Sequence, residues 1–223
     1  GVAERLRTLY GATDVGSAVS NAVFLVDSAE PACARPRSKL HVLGFLGNIA
    51  AEKGIFEFLD LMAALRQSGL PLEGRIAGPF QDATTEARVR LLLQDLPSVE
   101  YVGARYGAEK NAFFDGIDTM IFPTLYANEA EPLVIHEAMQ HGLPVIAYGR
   151  GCIPEVVTPE CGRVIPPDEA FVPAALAQVA AWMQAPEMFQ AASSAAAARF
   201  ATLQRSSAQR WALLQAQIIG AAP

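Results

Sequence analysis

Two glutamates separated by seven residues, Glu129 and Glu137, sit in the stretch NEAEPLVIHEAMQHGLPVIAYGRGCIPE, residues 128–155, and the second lies inside an apolar run. Leu133, Val134, Ile135, Ala138 and Met139 surround Glu137, where a core helix has no use for a carboxylate unless something pairs with it. An ionised carboxylate accepts hydrogen bonds and donates none, so a pair of them at a strand end suits bidentate binding of sugar hydroxyls, as in a ribose or a hexose. Pro132 suits the first turn of a helix, because the amide it lacks would have no partner there. Glu129 then lies in the loop before that helix and Glu137 more than one turn inside it. The N–H groups of Leu133 and Val134 are placed to hold phosphate. One ligand carrying sugar hydroxyls and a diphosphate satisfies both requirements.

Two further segments carry chemistry at strand ends. GNIAAEKG, residues 47–54, puts a glycine after a strand, then a polar loop, then Lys53 and Gly54 at a helix start. The unpaired amides and dipole of such a start favour an anion, and Lys53 adds a point charge, although a solvated lysine fits the same residues. The spacing is neither G-x-G-x-x-G nor G-x4-G-K-[ST], so the dinucleotide fingerprint and the Walker loop are both absent. YGRGCIPE, residues 148–155, is a glycine-bracketed turn in which Gly149 and Gly151 permit close backbone approach, or simply a βα turn. His136 and His141 have no His or Cys at metal-ligand spacing, which assigns them structural or surface roles and predicts no metal. No G-x-S-x-G elbow occurs.

The elements that must position these residues alternate along the chain. From about residue 40, KLHVLGFLG, LEGRIAG, VEYVG, TMIFPT, PVIAYG and GRVIPP read as strands, the last at a sheet edge. Between them lie helical patterns at 54–69, at TTEARVRLLLQDLP with a threonine cap, at GAEKNAFFDGI, at PLVIHEAMQHG and at IPEVVT. Such alternation predicts an α/β fold, a doubly wound, mostly parallel, Rossmann-like sheet with helices on both faces and ligands outside the carboxyl ends of the strands. Residues 1–38 read as a linker or the end of a preceding domain, with one short helical pattern and one strand-like run. Residues 39–186 read as the sheet domain, and 187–223 as an Ala-rich helical extension in which SSAAAARF is helix.

Composition narrows the function classes. The chain has 223 residues, 52% of them hydrophobic, and a formal net charge of −6, which disfavours a nucleic-acid backbone as partner. No apolar run reaches the ~18 residues of a membrane span, and the amino terminus has no signal pattern. Cys33, Cys152 and Cys161 form no C-x2-C pair, and an odd number fits a reducing compartment with idle thiols.

Taken together these residues resemble the carboxyl-terminal domain of the group 1 (family four) retaining glycosyltransferases of GT-B fold, over residues 40–186 and the trailing helices. Glu129-A-E-P-L-V-I-H-Glu137-A-M-x-x-G-x-P-V-I-A followed by G-C-I-P-E is similar to the family's E-x7-E motif and the turn behind it. G47-N-x-x-x-E-K53-G54 is similar to its G-R-x-x-x-x-K-G loop, and PTLY to its Pro-Ser strand end. The resemblance implies a nucleotide-diphosphate-sugar donor, such as a UDP or GDP sugar, and no cofactor besides this substrate. It makes Glu129 and Lys53 the catalytic pair: Glu129 takes the transferred sugar's hydroxyls and Lys53 the diphosphate. Glu137 takes the ribose, Leu133 and Val134 offer amides, Val102 and Gly103 border the base, and Gly47 and Asn48 line the phosphate loop. Asn48 stands where the family commonly has Arg, so a bidentate phosphate clamp is replaced by a neutral donor. Glu131, where Phe is common, adds charge near the sugar site.

The resemblance also implies an acceptor-binding domain ahead of residue 38, with SAVSNAV (17–23) as the connection, and a chain inactive without it. It further implies a cytoplasmic location, with peripheral contact at the inner membrane face through that domain and lipid, polysaccharide or small-molecule acceptors. A stand-alone nucleotide-sugar module or a GT-B epimerase uses the same residues without transfer. A Rossmann oxidoreductase does not, because GNIAAEKG and RIAGPF lack its glycine fingerprint and its strand-end acid.

Overall fold

The computed structural model describes residues 8, 11, 19–25 and 37–220. Six strands, β1 (Val42–Leu46), β2 (Glu73–Ala77), β3 (Val99–Tyr101), β4 (Thr119–Phe122), β5 (Val145–Tyr148) and β6 (Gly162–Ile165), form one sheet in the order β3-β2-β1-β4-β5-β6. Every pairing is parallel. The order reverses between β1 and β4, so the loops after these two strands diverge and leave a crevice between them.

Helices α1 (Ile55–Gln67), α2 (Ala83–Gln94), α3 (Gly107–Asp115), α4 (Leu133–Gln140), α5 (Ile153–Val156), α6 (Phe171–Gln184) and α7 (Pro186–Gly220) cover both faces. Strand residues alternate between two cores, as the twofold period of a strand requires. Leu43, Phe45, Ile121, Ile146 and Tyr148 pack with α1, α2 and α6, whereas Val42, Met120, Phe122, Val145 and Ala147 pack with α3, α4 and α5. A sheet buried on both faces explains why the strands read as nearly continuous apolar runs.

Two local expectations change. Helix α2 is capped by Asp82 and not by a threonine: its carboxylate accepts from the Thr85 N–H at 2.7 Å and the Thr85 hydroxyl at 2.7 Å. Those bonds hold the Asp82 carboxyl below its usual range. Pro132 is the residue before α4, not its first turn. In the carboxyl-terminal region the helix breaks at Ala185, next to the expected boundary, yet the first half of α7 packs on the sheet domain. Phe189 meets Trp182 edge-on at 5.5 Å, Ser193 Oγ donates to the Gly142 carbonyl at 2.6 Å, and Phe200 enters the α4 core. Of the leading segment, Asn21–Phe24 form a 3₁₀ turn; its remaining expectations, and Cys33, lie outside the described residues.

The crevice is held by glycine. At Gly54, φ is +82° and a Cβ would stand 2.0 Å from the Pro123 carbonyl oxygen, so the start of α1 presses directly on the backbone after β4. Gly69 has φ +71° with nothing near its missing Cβ. Gly69→Ala is therefore expected to cost about 1 kcal/mol of strain, whereas Gly54→Ala costs on the order of 3 kcal/mol because backbone must move. Urea denaturation of the two variants side by side measures the difference.

Candidate functional site

Lys53 follows β1, Glu129 follows β4, and the switch in strand order brings them together across 76 residues of sequence. Lys53 Nζ lies 2.8 Å from Glu129 Oε2. The Thr124 hydroxyl, wholly buried, donates to the same oxygen at 3.1 Å, and the ammonium stands 4.7 Å from the centre of the Tyr126 ring. The Leu125 N–H donates to the Glu52 carbonyl at 2.9 Å, pinning one loop to the other. A mostly buried carboxylate is thus matched by one cation and one hydroxyl, both on Oε2. Oε1 has no partner among the described residues. Lys53 has three N–H donors, of which Glu129 takes one.

The turn after β5 supports this loop from behind. Gly151 has φ +53°, and a Cβ there would stand 2.1 Å from the Glu129 carbonyl oxygen and 2.2 Å from that of Ala130. The Cys152 N–H donates to the Ala130 carbonyl at 2.7 Å. The segment then enters α4, which has no side-chain cap and no acid in its first turn. Leu133 is exposed and Val134 partly so, and neither N–H is bonded to another described residue. An uncapped, unpaired helix start facing solvent favours an anion.

Glu137 is mostly buried and ion-paired to Lys110 Nζ through Oε1, leaving Oε2 without a described partner. Lys110 belongs to α3. Sequence reasoning missed it, as it missed Thr124 and Tyr126, because nothing local to GAEKNAFFDGI indicates that this helix lies against α4. Val102 and Gly103 close β3 and begin the loop into α3; the Val102 N–H donates to Ile76 and the Gly78 N–H to Gly103, at 2.9 and 3.0 Å. Gly47 and Asn48 are held beside them: a Cβ on Gly78 would stand 1.8 Å from the Gly47 carbonyl oxygen, and Ile49 N–H donates to Pro79 at 2.8 Å. Asn48 is exposed.

Glu131 behaves differently from its neighbours. Its Oε1 accepts from the Ser20 hydroxyl and lies 2.7 Å from His136 Nε2, and its Oε2 accepts from the Asn21 N–H at 3.2 Å. Both oxygens are occupied within the chain, and the carboxylate faces residues 20–21 and His136. Burial pushes its carboxyl up, but the bonds from His136, Ser20 and Asn21 together outweigh it and hold it below the ordinary glutamate range. His136 is wholly buried and not a surface histidine, and His141 is nearly so, 2.9 Å from Asp115 Oδ1. Among the described residues no group of three His, Cys, Asp or Glu could hold a metal, and no helix is long and apolar enough to cross a membrane.

Comparison with known proteins bears on this arrangement. The family described as "Glycosyl transferases group 1" matches residues 40–185. The chain is 30% identical over 131 residues to a GDP-mannose-dependent alpha-mannosyltransferase of Mycobacterium tuberculosis (strain CDC 1551 / Oshkosh), covering 57% of this chain and 31% of that protein. It therefore spans about a third of that relative's length. Its fold is similar to sucrose-phosphate synthase from Thermosynechococcus elongatus, with TM-score 0.67 and 23% identity over 83% of this chain and 47% of that one. It is likewise similar to Anabaena Alr3699/HepE solved in complex with UDP, with TM-score 0.67 and 19% identity over 80% of this chain and 49% of that one.

Two measurements follow from the electrostatics. Lys110→Met removes the partner of Glu137 and is expected to lower stability by about 1 kcal/mol, because the pair is partly solvated; removing both charges recovers most of that loss, which a double-mutant cycle reads. The Glu131 carboxyl is lowered in the folded chain, so its contribution is present above the ordinary glutamate value of 4.5 and is lost as pH falls from there through the folded value. Glu131→Gln is expected to flatten the acid limb of a stability-versus-pH curve and to leave the neutral-to-basic limb unchanged in shape.

Proposed function

Since the chain belongs to the group 1 glycosyl transferases, we propose that it is the part of such an enzyme that binds a nucleotide-diphosphate-sugar donor and presents the sugar for transfer. The observation that carries this reading is the state of the three acids: among the described residues Glu129 and Glu137 each keep one carboxylate oxygen without a partner, while Glu131 keeps none. The two open oxygens belong to the loop before α4 and to α4 itself; the uncapped helix start separates them along the chain, and Lys53 pairs with Glu129.

In this reading Glu137 accepts from the ribose hydroxyls, with Lys110 holding the carboxylate in place. Glu129 accepts from the hydroxyls of the transferred hexosyl group. The diphosphate lies against the Leu133 and Val134 amides and Lys53, whose two remaining donors offset charge on the leaving group as the glycosidic bond breaks. Tyr126 and Thr124 keep the ammonium and the carboxylate at fixed positions, so little reorganisation is needed when that charge develops. Gly47, Asn48, Val102 and Gly103 border the phosphates and the base. Transfer with retention follows if the acceptor hydroxyl attacks from the face the diphosphate leaves. The acceptor, whether lipid, polysaccharide or small molecule, is assigned to a separate domain, as is peripheral contact with the inner membrane face. The chain alone is then a binding unit without transfer activity. The base is open, because one relative is described as GDP-mannose-dependent and one similar structure was solved with UDP.

Calorimetric titration with UDP, GDP, ADP and their common sugar conjugates tests the reading. One nucleotide is expected to bind saturably, with Glu137→Ala and Lys53→Ala each weakening it about tenfold or more. Binding unchanged in both variants would sink it.

A further inference from the structure

Residues 19–25 are fastened to Glu131, just ahead of α4, and to α7. Ser20 Oγ donates to Glu131 Oε1 while accepting from the Ala22 N–H at 3.2 Å, which caps the 3₁₀ turn. Asn21 grips Glu131 twice, through its N–H to the carboxylate and through Nδ2 to the Glu131 carbonyl at 2.8 Å. Ala22 is wholly buried in the core that contains Ile135, and Gln204 Nε2 donates to the Leu25 carbonyl at 2.7 Å. Phe24 meets Trp211 of α7 edge-on at 6.4 Å.

The centre of this arrangement is Glu131 with His136. The histidine is buried, and among the described residues its Nδ1 has no partner and its one side-chain bond is Nε2 to Glu131. A proton on Nδ1 would be an unmatched donor, so the bond to Glu131 is read as Nε2–H donating to the carboxylate. Glu131 lies two residues before the first residue of α4, with Pro132 between, and His136 immediately precedes Glu137. The bond between them spans the first turn of the helix, the turn whose Leu133 and Val134 amides face solvent.

We infer that Glu131 and His136 form a latch that fixes residues 19–25 to the first turn of α4, so that docking of this segment and nucleotide binding at that turn strengthen one another. The inference rests on the donor reading above. It makes Glu131 a positioning residue, acting on the ligand through the helix start, and not a sugar contact. The physical basis is shared order: a helix start held by three donors on one carboxylate has less freedom to lose when phosphate binds, and linkage requires the effect to run both ways.

Iodide quenching reads the segment directly, because Trp211 is 37% exposed and meets Phe24 edge-on while Trp182 is 4% exposed. In the whole chain, Glu131→Gln and His136→Leu are expected to raise quenching of Trp211 and to weaken binding of UDP or GDP, whichever binds, about fivefold or more. His136→Gln, which keeps a donor, is expected to stay near the parent in both. His136→Leu keeps the side-chain volume, so it reports even where Glu131→Gln unfolds. Saturating nucleotide is expected to lower quenching in the parent. Unaltered quenching in both disruptive variants removes the latch. Raised quenching with unchanged affinity reduces it to a tether and overturns the coupling. If the parent binds neither nucleotide, the coupling falls with the donor reading itself; if binding is intact but uncoupled, the coupling alone falls and the donor reading stands.

Discussion

The site depends on one backbone contact, the press of Gly54 against the Pro123 carbonyl at the point where the strand order reverses. Two loops that leave adjacent strands in opposite directions would otherwise stand apart. Because glycine carries no Cβ and tolerates φ +82°, the loop after β1 settles on the loop after β4, and Lys53 comes within 2.8 Å of Glu129. Gly78 against Gly47 and Gly151 against Glu129 and Ala130 repeat the device at neighbouring strand ends. Three close approaches thus gather loops from β1, β2, β4 and β5 along one edge of the sheet, each at a residue where any side chain would collide with backbone.

On this frame charge is distributed unevenly and usefully. A chain with net charge −6 has few cations to place, yet Lys53 and Lys110 each neutralise one oxygen of a mostly buried glutamate. Neither pair is closed: among the described residues the second oxygen of each acid has no partner, and a lysine ammonium keeps further donors. Glu131 is the contrast, with both oxygens bonded and its carboxyl held low. Three glutamates within nine residues therefore divide into two that each keep one oxygen unpaired among the described residues and one with both oxygens bonded within the chain. The dividing factor is which neighbours reach them, not their residue type.

The alternation of short apolar runs with amphipathic ones determined the fold class, because a strand buried on both faces and a helix buried on one leave different periods in the chain. The spacing of Glu129 and Glu137 around an apolar helix start, and Lys53 before Gly54, determined where chemistry would gather, because a carboxylate in an apolar run and a cation at a helix start each demand a partner. The tertiary structure alone decided who those partners are. Lys110 lies 27 residues from Glu137, Lys53 lies 76 from Glu129 and Ser20 lies 111 from Glu131. No local pattern encodes such pairings; they follow from which helices share a sheet face and where the strand order reverses. The same physics explains the bonds of Glu131, since two of its partners come from a segment whose position is set by packing of Ala22 and by α7, far along the chain.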